Sequence, residues 1–499
     1  MAKASIIAEL TALPSTDGRE LCAIARAAEW LEVRADLTGD VDAAWIRNFF
    51  PGKLLYSLRS NSVGGEFRGS ETERASRLLN ASRKYDLVEL EVERDLRPSL
   101  LTEIAAEKRL LSWYGQPMSG EELITNFYRL SATPSRIYKM VVEGKYSEDA
   151  LGPLCLMKSL RRSDLIAYSS GKCGFWGRLV ALQFGAPIIF GSAATSWTTD
   201  GTPPISQLIE DYGLPSILPV EKIYGIAGNP VIHSLSPRLH NAAYQAFKHP
   251  ALFVPFQTES FDKFWRGVVN NGVLESLGIS VEGLTVSSPY KEAALREAHA
   301  ASRMSRYIGA ANVIVRDDGQ WKADTTDPEG VMLAIRNRNF SLRGKRAAVI
   351  GCGGAGRAIA AALGEAGIDV TLVNRGVERG RMAAKRLGLP YVALSSFDAR
   401  NFSVLVNATP VGRDNDEAPF PLNGLSKDAI VIDLVYRPTL TPLLALARAQ
   451  GLAAIDGREI LLIQVCDQFR KMTGRDMPID IAHEALGLRK KTAIHTQAV

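Results

Sequence analysis

Eight short apolar runs punctuate the first 218 residues: SIIAEL, LEVRADL, LLYSLRS, LVELEVE, RLLSWYG, RIYKMVV, DLIAYSS and APIIFGS. Amphipathic stretches such as GRELCAIARAAEWL, ERASRLLNASRKY and GFWGRLVALQFG lie between them. A strand that reaches the next strand through a helix pairs with it in parallel, because the crossover returns the chain to the same end of the sheet. Eight such units predict a small (β/α)8 barrel over residues 1–218. A doubly wound open sheet is the alternative the pattern leaves open. Either architecture buries its strands on both faces, so a charge within a strand must be paired or used. RIYKMVV contains such a charge, with Lys139 in line with Ile137 and Val141. LEVRADL places Glu32 and Arg34 two apart on one face, YSLRS ends in Arg59, and VELEV carries Glu91. These groups either neutralise one another as a network filling the barrel or build a site at the C-terminal ends of the strands.

A chain of 499 residues is expected to divide into two or three domains. The net charge of +5 is too small to argue for a nucleic-acid partner, and the basic end RKKTAIHTQAV reads as a solvated terminus. Cys22, Cys155, Cys173, Cys352 and Cys466 are scattered, with no CxxC pair. That argues for free thiols in a reducing compartment and against a disulfide framework or a metal site. No apolar run reaches about 18 residues and no cleavable signal pattern opens the chain, so a cytoplasmic protein without a membrane partner is expected. All six histidines (His233, His240, His249, His299, His483 and His495) lie beyond residue 232. Chemistry in the barrel must therefore proceed without the usual neutral-pH acid–base residue.

DYGLPSILPVEK reads as a linker, after which IYGIAGNP opens a new α/β unit over residues 222–335. A nucleotide unit is expected over 336–456, and the helical patterns REILLIQVCDQFRKM and IDIAHEAL over 457–490 need not belong to it. AAVIGCGGAGRAIAAALGEAG joins a buried strand to a helix through Gly351, Gly353, Gly354, Ala355 and Gly356 in GxGxxG spacing. Such a turn lets a pyrophosphate approach the backbone closely, with free N–H groups and the positive helix end facing it. The next strand, DVTLVNRG, ends in Asn374 and Arg375, followed by Arg379 and Arg381, where an NAD site would carry an acidic residue. Guanidinium groups there suit a 2′-phosphate, so NADP is the expected cofactor.

Four further stretches complete a pattern: GNPVIHSLSPRLHN with Ser234 and Ser236, GLTVSSPYKEAA with Ser287 and Lys291, GAANVI with Asn312, and ADTTDPEG with Asp327. Together with VNATPVG, DLVYRPTLTPLL and DGREILLIQ, they resemble the shikimate dehydrogenase family over residues 222–490. The resemblance implies a substrate domain, a Rossmann-type NADP domain, and interconversion of 3-dehydroshikimate and shikimate. It implies Lys291 and Asp327 as the catalytic pair. Ser234, Ser236, Ser287, Asn312, Tyr436 and Gln464 are implied as contacts for a small polyol-carboxylate substrate, and Thr409 as a cofactor contact. Lysine suits proton delivery to a ketone oxygen, and a carboxylate within reach keeps it charged. Thr285 and Thr325 stand where family members often carry Asn, so quinate or a related polyol remains a possible substrate.

The first half resembles the type I 3-dehydroquinate dehydratases through LEVRADL, YSLRSNSVGGEFRGSETER, DLVELEVE, YKMV and GRLVALQFGAPIIFGSA. The domain order resembles that of bifunctional dehydratase–shikimate dehydrogenases. The resemblance implies dehydration of 3-dehydroquinate through an imine on Lys139, a desolvated amine. It also implies a substrate held by Glu32, Arg34, Arg59 and Arg178. The family's proton-transferring histidine, whose usual partner matches Glu91, falls here on Tyr114. A phenol with an ordinary pKa of about 10 is a poor base near neutrality. Three readings stay open: a dehydratase using Tyr114, water or another base; a lapsed enzyme that still binds ligand beside a monofunctional dehydrogenase; and a related reaction on a different ketone.

Overall fold

The computed structural model describes residues 2–488, so the RKKTAIHTQAV end lies outside the described residues. The chain forms two compact units, Met1–Val281 and Glu282–Val499. Among the described residues no helix is long and apolar enough to cross a membrane.

The first unit opens with the eight expected strands: β1 (Ser5–Leu10), β2 (Trp30–Arg34), β3 (Lys53–Ser57), β4 (Leu87–Glu91), β5 (Arg109–Gly115), β6 (Ile137–Val142), β7 (Leu165–Ser169) and β8 (Ile188–Ser192). They pair in parallel in the order β7-β6-β5-β4-β3-β2-β1-β8, so the last strand returns to the first and the open-sheet alternative falls away. Tyr168 of β7 and Phe190 of β8, with ring centroids 6.4 Å apart, bring those two strands together. Ile7, Trp30, Leu55, Leu87, Leu110, Ile137, Ile166 and Ile188 form an apolar floor inside the barrel. The period of two along each strand then makes the next inward-facing residues toward the C-terminal ends Glu9, Glu32, Ser57, Glu89, Ser112, Lys139 and Tyr168, while Phe190 of β8 stays level with Ile7 in the floor. An apolar floor below a charged layer is the consequence of that alternation.

The expected linker is ordered structure instead. Its first residues close the helix Ile205–Tyr212, where Asp211 accepts from Arg238 Nε at 2.7 Å. Asn241 on the helix Ser236–Phe247 donates to Asp211 O at 2.9 Å, so the two helices are stapled. Ser216 and Ile217 pair antiparallel with Lys3 and Ala2. Proline in the stretch does not prevent this, because the polar groups are met by neighbours rather than by water. The unit ends with the parallel pair β9 (Lys222–Gly228) and β10 (Ala251–Gln257).

In the second unit β11 (Ser280–Val286), β12 (Val313–Asp317) and β13 (Gln320–Asp324) run antiparallel in turn. A six-stranded parallel sheet follows: β14 (Arg346–Ile350), β15 (Asp369–Asn374), β16 (Tyr391–Ala393), β17 (Val404–Asn407), β18 (Ile430–Asp433) and β19 (Ala453–Ile455). Its order, β16-β15-β14-β17-β18-β19, reverses direction beside β14, the crevice where doubly wound sheets take ligands. The helix Gly457–Thr473 packs on the helix Asp327–Arg336. A Cβ on Gly330 would come within 2.7 Å of Gln464 Cγ, so glycine permits this close approach.

Arg74 is the most heavily committed charge of the barrel wall. It is 2% exposed, binds Asp95 through Nε at 2.7 Å and NH2 at 2.6 Å, sits 3.3 Å from Glu91, and donates to Leu58 O. Removing one partner of a buried ion pair leaves the others uncompensated, at a cost of about 3–5 kcal/mol. Arg74→Ala is expected to lower the denaturant midpoint of the barrel accordingly, and an unchanged midpoint would contradict this reading of the wall.

Candidate active sites

The barrel site is built around Lys139, whose side chain is fully buried. Its Nζ lies 2.5 Å from Glu89 Oε1, 5.4 Å from the Tyr114 ring centroid and 5.2 Å from that of Phe190. The expected pairing of this charge takes the form of an ion pair with Glu89. Arg59 extends the network, 3.0 Å from Glu32, 3.7 Å from Glu89 and 3.6 Å from Asp200. Burial opposes ionisation of Glu89, but Lys139 and Arg59 outweigh it and hold the carboxyl well below the usual carboxylate range.

Tyr114 donates to Glu89 Oε1 at 2.9 Å. Burial drives its phenol well above the ordinary value; Arg59 pulls the other way, and Glu89 and Glu32 add to the rise. Tyr114 therefore enters the site as a hydrogen-bond donor and not as a base. The expectation that Glu91 partners position 114 is also corrected. Glu91 accepts from Ser60 N at 2.7 Å and Ser60 Oγ at 2.6 Å, one layer above Glu89. Arg34 is bound by Asp36 through Nε at 2.9 Å and NH2 at 2.8 Å. Arg178 stands on the helix Phe175–Ala181, its guanidinium 4.5 Å from the Tyr168 ring centroid, with a buried NH1 that has no hydrogen-bond partner among the described residues.

Sequence reasoning passed over Glu9 and Glu89, although the parity that selected Glu32 selects both. Glu9 is 2% exposed, and its Oε2 also lacks a hydrogen-bond partner among the described residues. Burial, with help from Glu32 and Asp200, pushes its carboxyl up to about 8 against the opposing pull of Arg59 and Arg34. Glu32 Oε2, Glu89 Oε2, Arg59 Nε and Arg178 NH1 are likewise buried without hydrogen-bond partners among the described residues. Buried polar atoms are seldom left unmatched, so this convergence of unpartnered carboxylate and guanidinium atoms sets the inner face of the barrel apart from an ordinary core.

The second site lies in the other unit. Lys291 opens the helix Lys291–Glu297 and its Nζ donates to Asp327 Oδ2 at 2.6 Å. Asp327 opens the helix Asp327–Arg336, and its Oδ1 accepts from Asn312 Nδ2 and Gln464 Nε2, both at 3.0 Å. Its carboxylate is thus committed to side chains and does not cap the helix. Thr326 and Gln468, which sequence reasoning did not single out, complete the network: Thr326 Oγ1 accepts from Asn312 and from Gln468, each at 3.0 Å. Both stand beside singled-out residues, one next in sequence and one a helical turn from Gln464. Ser287 is part-exposed at the end of β11, and Tyr436 is part-exposed after β18. In the first unit Ser236 N donates to Ser234 Oγ at 3.2 Å where the helix Ser236–Phe247 begins.

The dinucleotide turn follows β14. Gly351 takes φ +106, and a Cβ on Gly356 would lie 1.8 Å from Gly351 O, so both positions require glycine. A Cβ on Gly353 would meet only Arg379 NH2, 3.9 Å away, leaving the turn open beside a guanidinium. Gly354 and Ala355 begin the helix Gly354–Glu365, whose N–H groups are available to an anion. Asn374 Oδ1 accepts from Cys352 N at 3.1 Å and braces the turn. Thr409 Oγ1 donates to Asn407 Oδ1 at 2.7 Å beside it. Arg375 is exposed just after β15, and Arg379 is exposed in the first turn of the helix Val377–Leu387. This cradle fits a dinucleotide bearing a 2′-phosphate. A Cβ on Gly354 would lie 3.0 Å from Lys291 Cβ and Cδ, which sets the turn directly against the lysine.

Comparison with known proteins places each half of the chain beside a family. The family model for type I 3-dehydroquinase matches residues 13–219, and that for the shikimate dehydrogenase substrate binding domain matches residues 226–314. The NADP(+) shikimate dehydrogenase of Pyrococcus furiosus is 36% identical over 265 residues, covering 52% of this chain and 93% of the relative. The chloroplastic bifunctional 3-dehydroquinate dehydratase/shikimate dehydrogenase of Arabidopsis thaliana is 28% identical over 485 residues, covering 91% of this chain and 79% of the relative. A solved structure of shikimate 5-dehydrogenase from Thermus thermophilus with NADP(H) and shikimate is 32% identical, covers 53% of this chain and 97% of its own, and has a TM-score of 0.47.

The raised Glu9 carboxyl carries a stability signature. The folded state holds its proton up to about 8, whereas the unfolded chain releases it near 4.5. Between those values the folded state binds more protons, so this group's contribution to stability falls as pH rises. Glu9→Gln is expected to leave stability near pH 4.5 unchanged and to raise it by roughly 1–4 kcal/mol at pH 8, read from denaturant unfolding. Equal effects at both pH values would contradict the assignment.

Proposed function

The chain belongs to the shikimate dehydrogenase family, with a type I 3-dehydroquinase domain ahead of the dehydrogenase, and from there we propose that it performs two consecutive steps. The barrel dehydrates 3-dehydroquinate to 3-dehydroshikimate, and the second activity reduces that ketone to shikimate with NADP. The division follows the sequence boundaries: residues 1–218 for dehydration, 222–335 and 457–490 for the shikimate-binding part, and 336–456 for the nucleotide. Scattered free thiols and the absence of an apolar spanning helix among the described residues support a cytoplasmic setting.

The observation that carries the dehydrogenase reading is the Lys291–Asp327 pair at 2.6 Å, with the other Asp327 oxygen fixed by Asn312 and Gln464. When bound, NADPH supplies the hydride. Lys291 Nζ delivers a proton to the oxygen on which negative charge develops. Asp327 Oδ2 aims the ammonium and stabilises its charge, while the amides of Asn312 and Gln464 prevent the carboxylate from rotating away. Hydroxyl groups of Ser287 and Tyr436 suit the hydroxyls and carboxylate of the ring.

In the barrel Lys139 Nζ attacks the ketone carbon, and loss of water gives an imine. The nucleophile is the neutral amine, and Glu89 Oε1 at 2.5 Å holds Nζ in place. Arg59 and Arg178 supply donors for the substrate's oxygens. A second reading, a monofunctional dehydrogenase with a ligand-binding barrel, draws on the mutual neutralisation of Lys139 and Glu89 and on the absence of histidine from residues 1–232.

Lys291→Ala and Asp327→Asn should each lower kcat for shikimate oxidation by about 10²–10⁴-fold while leaving NADP affinity within about twofold. Normal turnover in both would end the proton-transfer assignment. Borohydride added with 3-dehydroquinate should label Lys139, read by peptide mass; an unlabelled Lys139 together with no enone product would favour the ligand-binding barrel.

A further inference from the structure

The barrel needs a group that moves a proton between carbon and oxygen, and the carboxylates around it are committed in different ways. Glu91 is held by Ser60 and Arg74, Glu32 by Arg59, and Glu89 by Lys139, Tyr114 and Arg59. Asp200 is engaged by Thr198 and Arg59. Tyr114 spends its proton on Glu89. Glu9 alone in this layer has no ion pair among the described residues, and its Oε2 is buried with no hydrogen-bond partner there. On β1 it stands in register with Glu32 of β2 and Ser192 of β8. Ile7, one pleat below it, is level with Phe190, whose ring lies 5.2 Å from Lys139 Nζ. Glu9 therefore faces the space above that ring, toward the strand ends where the substrate of an imine on Lys139 must sit.

We infer that Glu9 is the proton-transfer residue of the barrel, in place of a histidine. This rests on the dehydratase reading. As the carboxylate it removes the proton from the carbon next to the imine carbon, and the C–H electron pair moves into the ring as an enamine. The resulting carboxylic acid then gives that proton to the departing hydroxyl. The C–O bond breaks, the enamine pair forms the new C=C bond, and one water molecule leaves. Hydrolysis of the imine returns Lys139, so Glu9 and Lys139 both end as they began. One group serves as base and then as acid, so no second titrating residue is required.

The surroundings suit the task. The charged groups facing Glu9 are Glu32 and Arg34 from β2, Arg59 from the end of β3, and Asp200 from the loop after β8. Burial, Glu32 and Asp200 raise the carboxyl to about 8. A carboxylate so raised is a far stronger base than an exposed one, and its strength lies near the operating pH. The active form is the ionised one, so dehydration should accelerate as pH rises through about 8.

The test uses the full chain without NADPH, following enone absorbance from 3-dehydroquinate between about pH 6 and 9, with borohydride labelling of Lys139 in parallel. The wild-type rate is expected to climb through about 8. Glu9→Gln should lower turnover by about 100-fold or more, lose that climb, and still give a labelled Lys139. Tyr114→Phe should keep the climb. A wild-type profile that is flat or falls across this range overturns the inference without reference to any variant, as does wild-type turnover in Glu9→Gln. A wild-type chain that labels at Lys139 but makes no enone at any pH removes the dehydratase reading itself, and the inference with it.

Discussion

A lysine ammonium with no exposure to water, at the centre of a parallel barrel, sets the terms for the first half of this chain. Its desolvation must be offset locally, and Glu89 at 2.5 Å does so. Glu89 in turn is shared with Arg59 and Tyr114, and Arg59 with Glu32 and Asp200. The network propagates because each buried charge needs its own counter-charge, and because alternate residues of every strand face the same interior. The apolar floor beneath confines the network to the C-terminal layer, where a ligand can reach it.

Lysine meets carboxylate in both sites, with opposite consequences. At Lys291 the partner Asp327 is pinned from behind by Asn312 and Gln464, and the lysine is 17% exposed. A pinned carboxylate keeps its lysine aimed, which suits an acid delivering a proton to oxygen. At Lys139 the partner Glu89 retains an Oε2 with no hydrogen-bond partner among the described residues. That oxygen is left for a donor on a ligand, while Oε1 holds the amine that must act as nucleophile. The contrast comes from the neighbours of the carboxylate, since the residue types are nearly the same.

The eight barrel strands and the strand–turn–helix of the nucleotide unit were legible because hydrophobic period and glycine spacing are local signals. Lys291, Asp327, Asn312 and Gln464 were legible through family resemblance, and the structure joins all four by hydrogen bonds. Glu9 and Glu89 were missed although their parity matched that of Glu32, because no motif drew the eye to them. Glu91 was misassigned for a related reason: parity fixes the face of a strand but not the layer, and Ser60 claims the upper layer. The proline-marked stretch at 211–222 looked like a linker because its partners, Arg238, Asn241 and the first residues of the chain, are distant in sequence.

The central claim is that one chain makes a ketone and then reduces it. The most direct measurement supplies the purified full chain with 3-dehydroquinate and NADPH alone and follows NADPH absorbance and shikimate together. The account predicts that shikimate accumulates in step with NADPH loss, without any added dehydratase. NADPH consumption with 3-dehydroshikimate but none with 3-dehydroquinate would contradict it.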